Sequence, residues 1–249
     1  MADHLIHFYI LTTSSPNPFV LGLGLALSDA SAMGFRMKKL VVRKMELGPI
    51  GTNAYLLWEE GGCESVLIDA PPDCADEIEP ILEKHDLSLQ EIWLTHGHWD
   101  HMAGASDLVR DGVKVLGHKA DRTLFEQPAV MSGFAMPGMD FKPVGITRWI
   151  EEGDELDLWG RSVSIFHCPG HCPGNVIFWV KDEAICFVGD VIFSGSVGRA
   201  DLPGGDFSVL EHSIREKVYA LPTETVIMPG HGPDTTVEIE RQSNPFVRP

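Results

Sequence analysis

Three histidines and an aspartate, His96, His98, Asp100 and His101, fall within residues 96–101, directly after the apolar run Ile92-Trp93-Leu94. With 11 His in 249 residues, the pattern His-x-His-x-Asp-His arises by chance in roughly one or two of every thousand such chains. Imidazole nitrogens and a carboxylate are ligands for zinc or another divalent first-row metal, iron and manganese being the alternatives. Three further candidates lie downstream, each beside glycine at the end of an apolar run: His171 in Pro169-Gly170-His171, Asp190 after Gly189, and His231 in Gly230-His231-Gly232. A turn at a strand end presents a polar side chain without burying it in the core, while the sheet holds it rigidly. Seven ligands exceed what one tetrahedral ion takes. The set suits two divalent ions sharing one carboxylate, a pair that can make hydroxide from water near neutral pH and polarise a carbonyl. Asp100 would place a carboxylate beside that nucleophile to orient it or take its proton, which makes it the candidate catalytic residue.

Singly, His171 or His231 would read as a structural histidine and Asp190 as a turn residue; only the joint pattern makes them ligands. His118, His167 and His212 lack that context and read as structural. Asp69, at a strand end, reads first as a turn former, the alternative being that it supports a metal ligand from behind.

The elements that must position these residues are visible as hydrophobic periodicity. Strands are expected over 40–47, 53–58, 65–69, 91–95 and 113–118, then over 162–167, 175–180, 184–188 and 225–228. Helical spacing predicts helices over 75–85, 102–109 and 207–220, and a short one near 236–241. Residues 122–142 predict a short helix and an irregular loop of the kind that shapes a substrate entrance. Their Met131, Phe134, Met136 and Met139 read first as packing residues. Two strand-rich halves with interspersed helices, and no linker-like shift between them, predict one α+β domain over 37–249, with two packed sheets and helices outside.

Residues 1–36 read as a separate, poorly specified extension. Its apolar stretch 19–27 lacks the preceding positive charge of a signal peptide, and Met37-Lys38-Lys39 forms a second possible chain start. At 44% hydrophobic and 22% charged residues the chain has material for a large core. Its formal charge of −17 argues against nucleic acid and anionic membranes as partners, because both need clustered Lys and Arg. No apolar run reaches the length of a membrane span. Five cysteines, an odd number in no framework spacing, point to a reducing, cytoplasmic setting. Cys168 and Cys172 read as small buried residues beside a turn. The oligomeric state is open.

The segments Thr-His-Gly-His-Trp-Asp-His at 95–101, Pro-Gly-His at 169–171, Gly-Asp at 189–190 and Gly-His-Gly at 230–232 together resemble the metallo-β-lactamase-fold hydrolase superfamily. Within it they resemble the short bacterial glyoxalase II-like, or hydroxyacylglutathione hydrolase-like, branch. The resemblance spans roughly residues 38 to 245 and implies a four-layer αββα sandwich with a dinuclear site at one edge of the sheets. It implies His96, His98 and His171 on the first metal, Asp100, His101 and His231 on the second, and Asp190 bridging. The activity it implies is hydrolysis of a small-molecule thioester such as S-lactoylglutathione by a metal-bound hydroxide. Arg199 occupies the position of a substrate-binding basic residue, whereas Asp201 stands where the longer enzymes of the branch carry an aromatic. A structural ion pair of Arg199 with Asp201 or Asp206 is the competing reading. The alternative activity within the same fold is that of the persulfide dioxygenases, which use one iron at positions matching His96, His171 and Asp190. A bridging aspartate, where β-lactamases carry cysteine, points away from a lactamase.

Overall fold

The computed structural model describes residues 10–11, 37–110, 112–139 and 142–249. The first sheet has seven strands in sequence order: β1 (Ile10–Leu11), β2 (Leu40–Leu47), β3 (Thr52–Glu59), β4 (Glu64–Ile68), β5 (Ser88–Trp93), β6 (Lys114–His118) and β7 (Arg148–Ile150). The second contains β8 (Glu155–Leu158), β9 (Arg161–His167), β10 (Val176–Val180) and β11 (Ile185–Gly189). After the small hairpin β12 (Ile192–Phe193) and β13 (Ser196–Val197), the second sheet is completed by β14 (Val226–Pro229) and β15 (Thr235–Thr236), giving the order β15-β14-β11-β10-β9-β8. The chain therefore finishes one sheet before it begins the other.

Each sheet is covered on both faces, and strand periodicity sorts the side chains between the layers. Along β3, Tyr55 and Leu57 enter the core between the sheets, whereas Ala54, Leu56 and Trp58 face the outer layer. That layer contains α1 (Ala75–His85), α2 (Trp99–Met102), α3 (Ala105–Leu108) and α4 (Arg122–Glu126). The second sheet alternates in the same way. Phe178 and Phe187 point inward, while Ile177, Cys186 and Val188 pack under α5 (Phe207–Ser213). The closing helix α6 (Val237–Ser243) adds Val237 to that outer cluster. Each of these side chains contributes about 1.5–3 kcal/mol on burial. The outcome is the expected αββα sandwich.

The boundaries differ from expectation in several places. The helix expected over 102–109 is two single turns, α2 and α3, and the first begins at Trp99 inside the histidine motif. Between them Gly104 presses on the 71–74 segment; a Cβ there would lie 2.1 Å from the Pro71 carbonyl oxygen, so the chain bends where a side chain cannot fit. The helix expected over 207–220 is α-helical only to Ser213 and continues as a wider π turn over Ile214–Val218. Strands β7, β8, β12, β13 and β15 were missed because two to four residues show no measurable period. Residues 122–142 contain α4 and a 3-10 segment, Pro128–Phe134, as expected. The reading of 1–36 as an extension falls outside the described residues, except that Ile10–Leu11 pairs in parallel with β2. Among the described residues no helix is long and apolar enough to cross a membrane.

Candidate metal centre

Parallel pairing brings strand ends to one edge. Strands β4 and β5 run parallel, so Asp69 and the 95–101 loop emerge side by side; β11 and β14 are also parallel, so Asp190 and His231 do the same. The turn after β9 adds His171. The two sheets meet directly here, through a bridge between Thr52 and His231. Buried side chains from the first sheet fasten the His231 loop. Asn53 Nδ2 donates to the carbonyls of Pro229 (2.8 Å) and Gly232 (3.0 Å), and Tyr55 OH donates to that of Pro229 (2.7 Å). Lys44 Nζ reaches the Gly232 carbonyl and Asp234, both at 2.7 Å. Gly230 must lack a side chain, since a Cβ would lie 2.2 Å from Asp190 Oδ1 and 2.6 Å from the His101 ring.

All seven sequence candidates converge. His96 Nε2, His98 Nδ1 and His171 Nε2 lie 2.8–3.2 Å from one another. Beside them, Asp100 Oδ2 lies 3.1 Å from His231 Nε2 and 3.2 Å from His101 Nε2. Asp190 stands between the groups, with Oδ1 3.2 Å from His101 and Oδ2 3.5 Å from His171 and 3.7 Å from His231. His231 is the most open of the set.

The outer ring atoms decide what the inner ones can do. Thr95 Oγ1 donates to Asp69 Oδ2 (2.8 Å), so it accepts from His96 Nδ1–H at 3.1 Å. His101 Nδ1–H donates to Asp69 Oδ2 (2.7 Å), His171 Nδ1–H to the Arg199 carbonyl (2.7 Å), and His231 Nδ1–H to the Gly51 carbonyl (3.2 Å). Each of these four rings thus uses Nδ1–H outward and turns Nε2 inward. Nitrogens and carboxylate oxygens converging this closely need a cation among them: His101 Nε2 and Asp190 Oδ1 are buried 3.2 Å apart without the alignment of a hydrogen bond. The donors, neutral nitrogens with carboxylates, fit divalent first-row metals.

The electrostatics agree. Burial, together with the neighbouring imidazoles, pushes His96 well below the ordinary histidine range and His98 down to about 3. Both are therefore neutral, the form in which imidazole binds a metal. Burial opposes charge on His101 as well, but the carboxylates of Asp100, Asp190 and Asp69 outweigh it and draw its pKa well up. Asp100 and Asp190 overcome burial through the same contacts and stay ionised. That side of the site attracts positive charge.

Two carboxylates stand behind the candidate ligands. Asp69 takes its alternative reading: it accepts the Thr95 amide (2.8 Å), the Thr95 hydroxyl and the His101 ring. Asp121 is buried and ties the two loops of the first group together, accepting Gly97 N–H (2.8 Å), Gly174 N–H (2.6 Å) and the Cys172 thiol (3.1 Å). A lone Asp at a strand end or before a helix carries no sequence signal that separates it from a cap. Thr52 Oγ1 also donates to Asp100 Oδ2 at 3.0 Å. His118 and His167 stack on each other at 4.1 Å, outside the ligand groups, and His212 is exposed. Cys168 and Cys172 are buried beside their turn, and burial raises both thiols.

The cluster opens into a cavity of about 650 Å³. Met131, Phe134 and Met136 of the 122–142 region line it, together with Trp99, Phe193 and Leu202. Arg199 borders it with its guanidinium engaged by Asp201, Nε to Oδ1 at 2.7 Å and Nη2 to Oδ2 at 2.8 Å. Asp206 instead caps α5.

Fold and cluster together define a metal-dependent hydrolase scaffold. Residues 47–231 match the metallo-beta-lactamase superfamily, and the chain belongs to that family. It is 38% identical over 200 residues to hydroxyacylglutathione hydrolase GloC of Haemophilus influenzae, covering 78% of this chain and 92% of that protein. The crystal structure of the BLEG-1 B3 metallo-beta-lactamase superimposes with a TM-score of 0.74 at 34% identity, over 83% of this chain and 99% of that one. TTHA1623 in a di-iron-bound form gives 0.72 at 37% identity, over 82% and 99%.

Proposed function

We propose that the protein is a dinuclear metal-dependent thioester hydrolase, with S-lactoylglutathione as the first substrate to test. The observation that carries the reading is the set of four inward-facing Nε2 atoms, joined by His98 Nδ1 and two ionised carboxylates. In it, His96, His98 and His171 would hold one ion, Asp100, His101 and His231 the other, and Asp190 would serve both. Two such ions, when bound, lower the pKa of water toward ~7 and polarise a carbonyl oxygen. Zinc is the first candidate, and the di-iron form of TTHA1623 keeps iron open.

The chain's own part is positional. Asp69, Thr95 and the Gly51 and Arg199 carbonyls fix the ring tautomers. Asp100, held by Thr52 and open to the cavity, orients the attacking water and accepts its proton. Water oxygen adds to the carbonyl carbon, the carbon–sulfur bond breaks, and the thiolate leaves and takes up a proton. The products are a carboxylate and a thiol, with no change of oxidation state. A single iron on His96, His171 and Asp190, as in a persulfide dioxygenase, would leave Asp100, His101 and His231 without a task, so the second cluster favours hydrolysis.

The test loads metal-stripped protein with zinc, iron or manganese and follows both stoichiometry and thioester hydrolysis. Two ions per chain with turnover are expected. Turnover no greater than that of His96→Ala, or one iron with oxygen uptake on a persulfide, overturns the reading.

A further inference from the structure

The cavity beside the metal cluster has an unusual balance of surfaces. Large apolar side chains stand open to solvent at its rim, with Ile50 50% exposed and Phe134 and Met136 each 48% exposed. Exposed apolar side chains grouped around a polar site mark a surface that a ligand covers. Met136 among them can repack around ligands of differing shape. Charge tells the same story. Among the described residues lining the cavity, Arg199 is the one permanent side-chain cation, and its Nε–Nη2 edge is taken by Asp201. The adjoining groove, which shares Met136 and Pro137 with the cavity, carries Glu46, Asp73, Asp76 and Glu77. A ligand carboxylate arriving at Arg199 meets a guanidinium already matched by Asp201 and comes to lie beside that like charge.

We propose that this pocket selects thioesters whose thiol portion is apolar and uncharged, and that it discriminates against glutathione, whose two carboxylates outnumber its ammonium group. The selection is made by the Ile50/Phe134/Met136 rim and by the Asp201 carboxylate, which offsets the one cationic side chain lining the cavity. Its kinetic arm rests on the thioester reading above.

The test compares two lactoyl thioesters with the same acyl group, one of glutathione and one of benzyl mercaptan, using the metal-loaded full chain. Rates are normalised to the hydroxide-catalysed reaction of each ester. The expected result is a kcat/KM at least about tenfold higher for the benzyl ester, expressed mainly in KM. Asp201→Asn releases Arg199, so the glutathione ester gains several-fold and the gain shrinks as salt rises. A wild-type preference for the glutathione ester, or an unchanged ratio in Asp201→Asn, overturns the proposal. If neither ester is hydrolysed, the thioesterase reading fails by itself. The pocket is then judged by calorimetry with two unreactive thioethers, S-benzylglutathione and N-acetyl-S-benzylcysteamine. Weaker binding of the glutathione compound supports the selection; equal or tighter binding overturns it.

Discussion

Asp69 illustrates how much of the site depends on a residue that touches no substrate. One of its oxygens takes protons from both Thr95 Oγ1 and His101 Nδ1, so a single carboxylate sets the tautomers of His96 and His101 together. Replacement by asparagine offers an N–H where an acceptor is needed. Asp69→Asn is expected to weaken metal binding roughly 10- to 100-fold, read by competition against a chromophoric chelator. At the stacked pair, His118 is pushed down to about 4, first by burial and then by His167, against the pull of Glu151. The folded state thus binds this proton less readily than the unfolded chain, whose histidines titrate near ~6.5. Its contribution is intact above that value and is lost as pH falls toward about 4, by an amount on the order of 1–2 kcal/mol. His118→Gln is expected to show a shallower loss than wild type between neutral pH and pH ~4.5, measured by urea midpoints of metal-stripped protein.

At the scale of elements, the site is a consequence of which strands run parallel. Two parallel pairs, β4 with β5 and β11 with β14, put four strand ends at one edge, and each following turn carries a polar side chain. The turn after β14 has no slack, because Gly230 backs directly onto Asp190 and His101. Gly230→Ala is expected to lower stability by roughly 1–3 kcal/mol and to lower metal occupancy, checked by thermal unfolding and elemental analysis. The convergence of the seven candidate ligands was legible in sequence because four of them crowd one loop and the rest repeat its pattern of strand, glycine and polar side chain. The long strands and α1 were legible because both faces of each strand, and one face of the helix, must be apolar. Asp121 was not legible and Asp69 only as a secondary reading, since their meaning lies in partners 53 and 26 residues away, such as Gly174 and Thr95. The break in the expected 102–109 helix was hidden for a similar reason: Gly104 is shaped by its contact with Pro71, which no local pattern announces.

The whole molecule is two sheets tied at both ends. At the site end the ties are the ligand cluster and the Lys44, Asn53 and Tyr55 bonds to the His231 loop. At the other end Arg161 of β9, 1% exposed, bonds to Glu59 of β3 at 3.0 Å and to Glu183 at 2.5 Å, and also donates to the Lys38 carbonyl. Removing one partner of a buried ion pair strands the other charges. Arg161→Ala is expected to cost about 3–5 kcal/mol in chemical denaturation, while the protein that remains folded keeps its metal stoichiometry. Because β7 completes the first sheet and β8 opens the second, the turn at 151–154 is the only covalent crossing between them among the described residues. Each half of the metal centre nonetheless draws on both sides of that crossing: His96 and His98 with His171, Asp100 and His101 with His231. A chain divided at that turn would yield two fragments, neither with a full set of donors for either half. Reconstitution of the centre would then report fragment complementation, with metal uptake as its signal and the sandwich interface as the quantity measured.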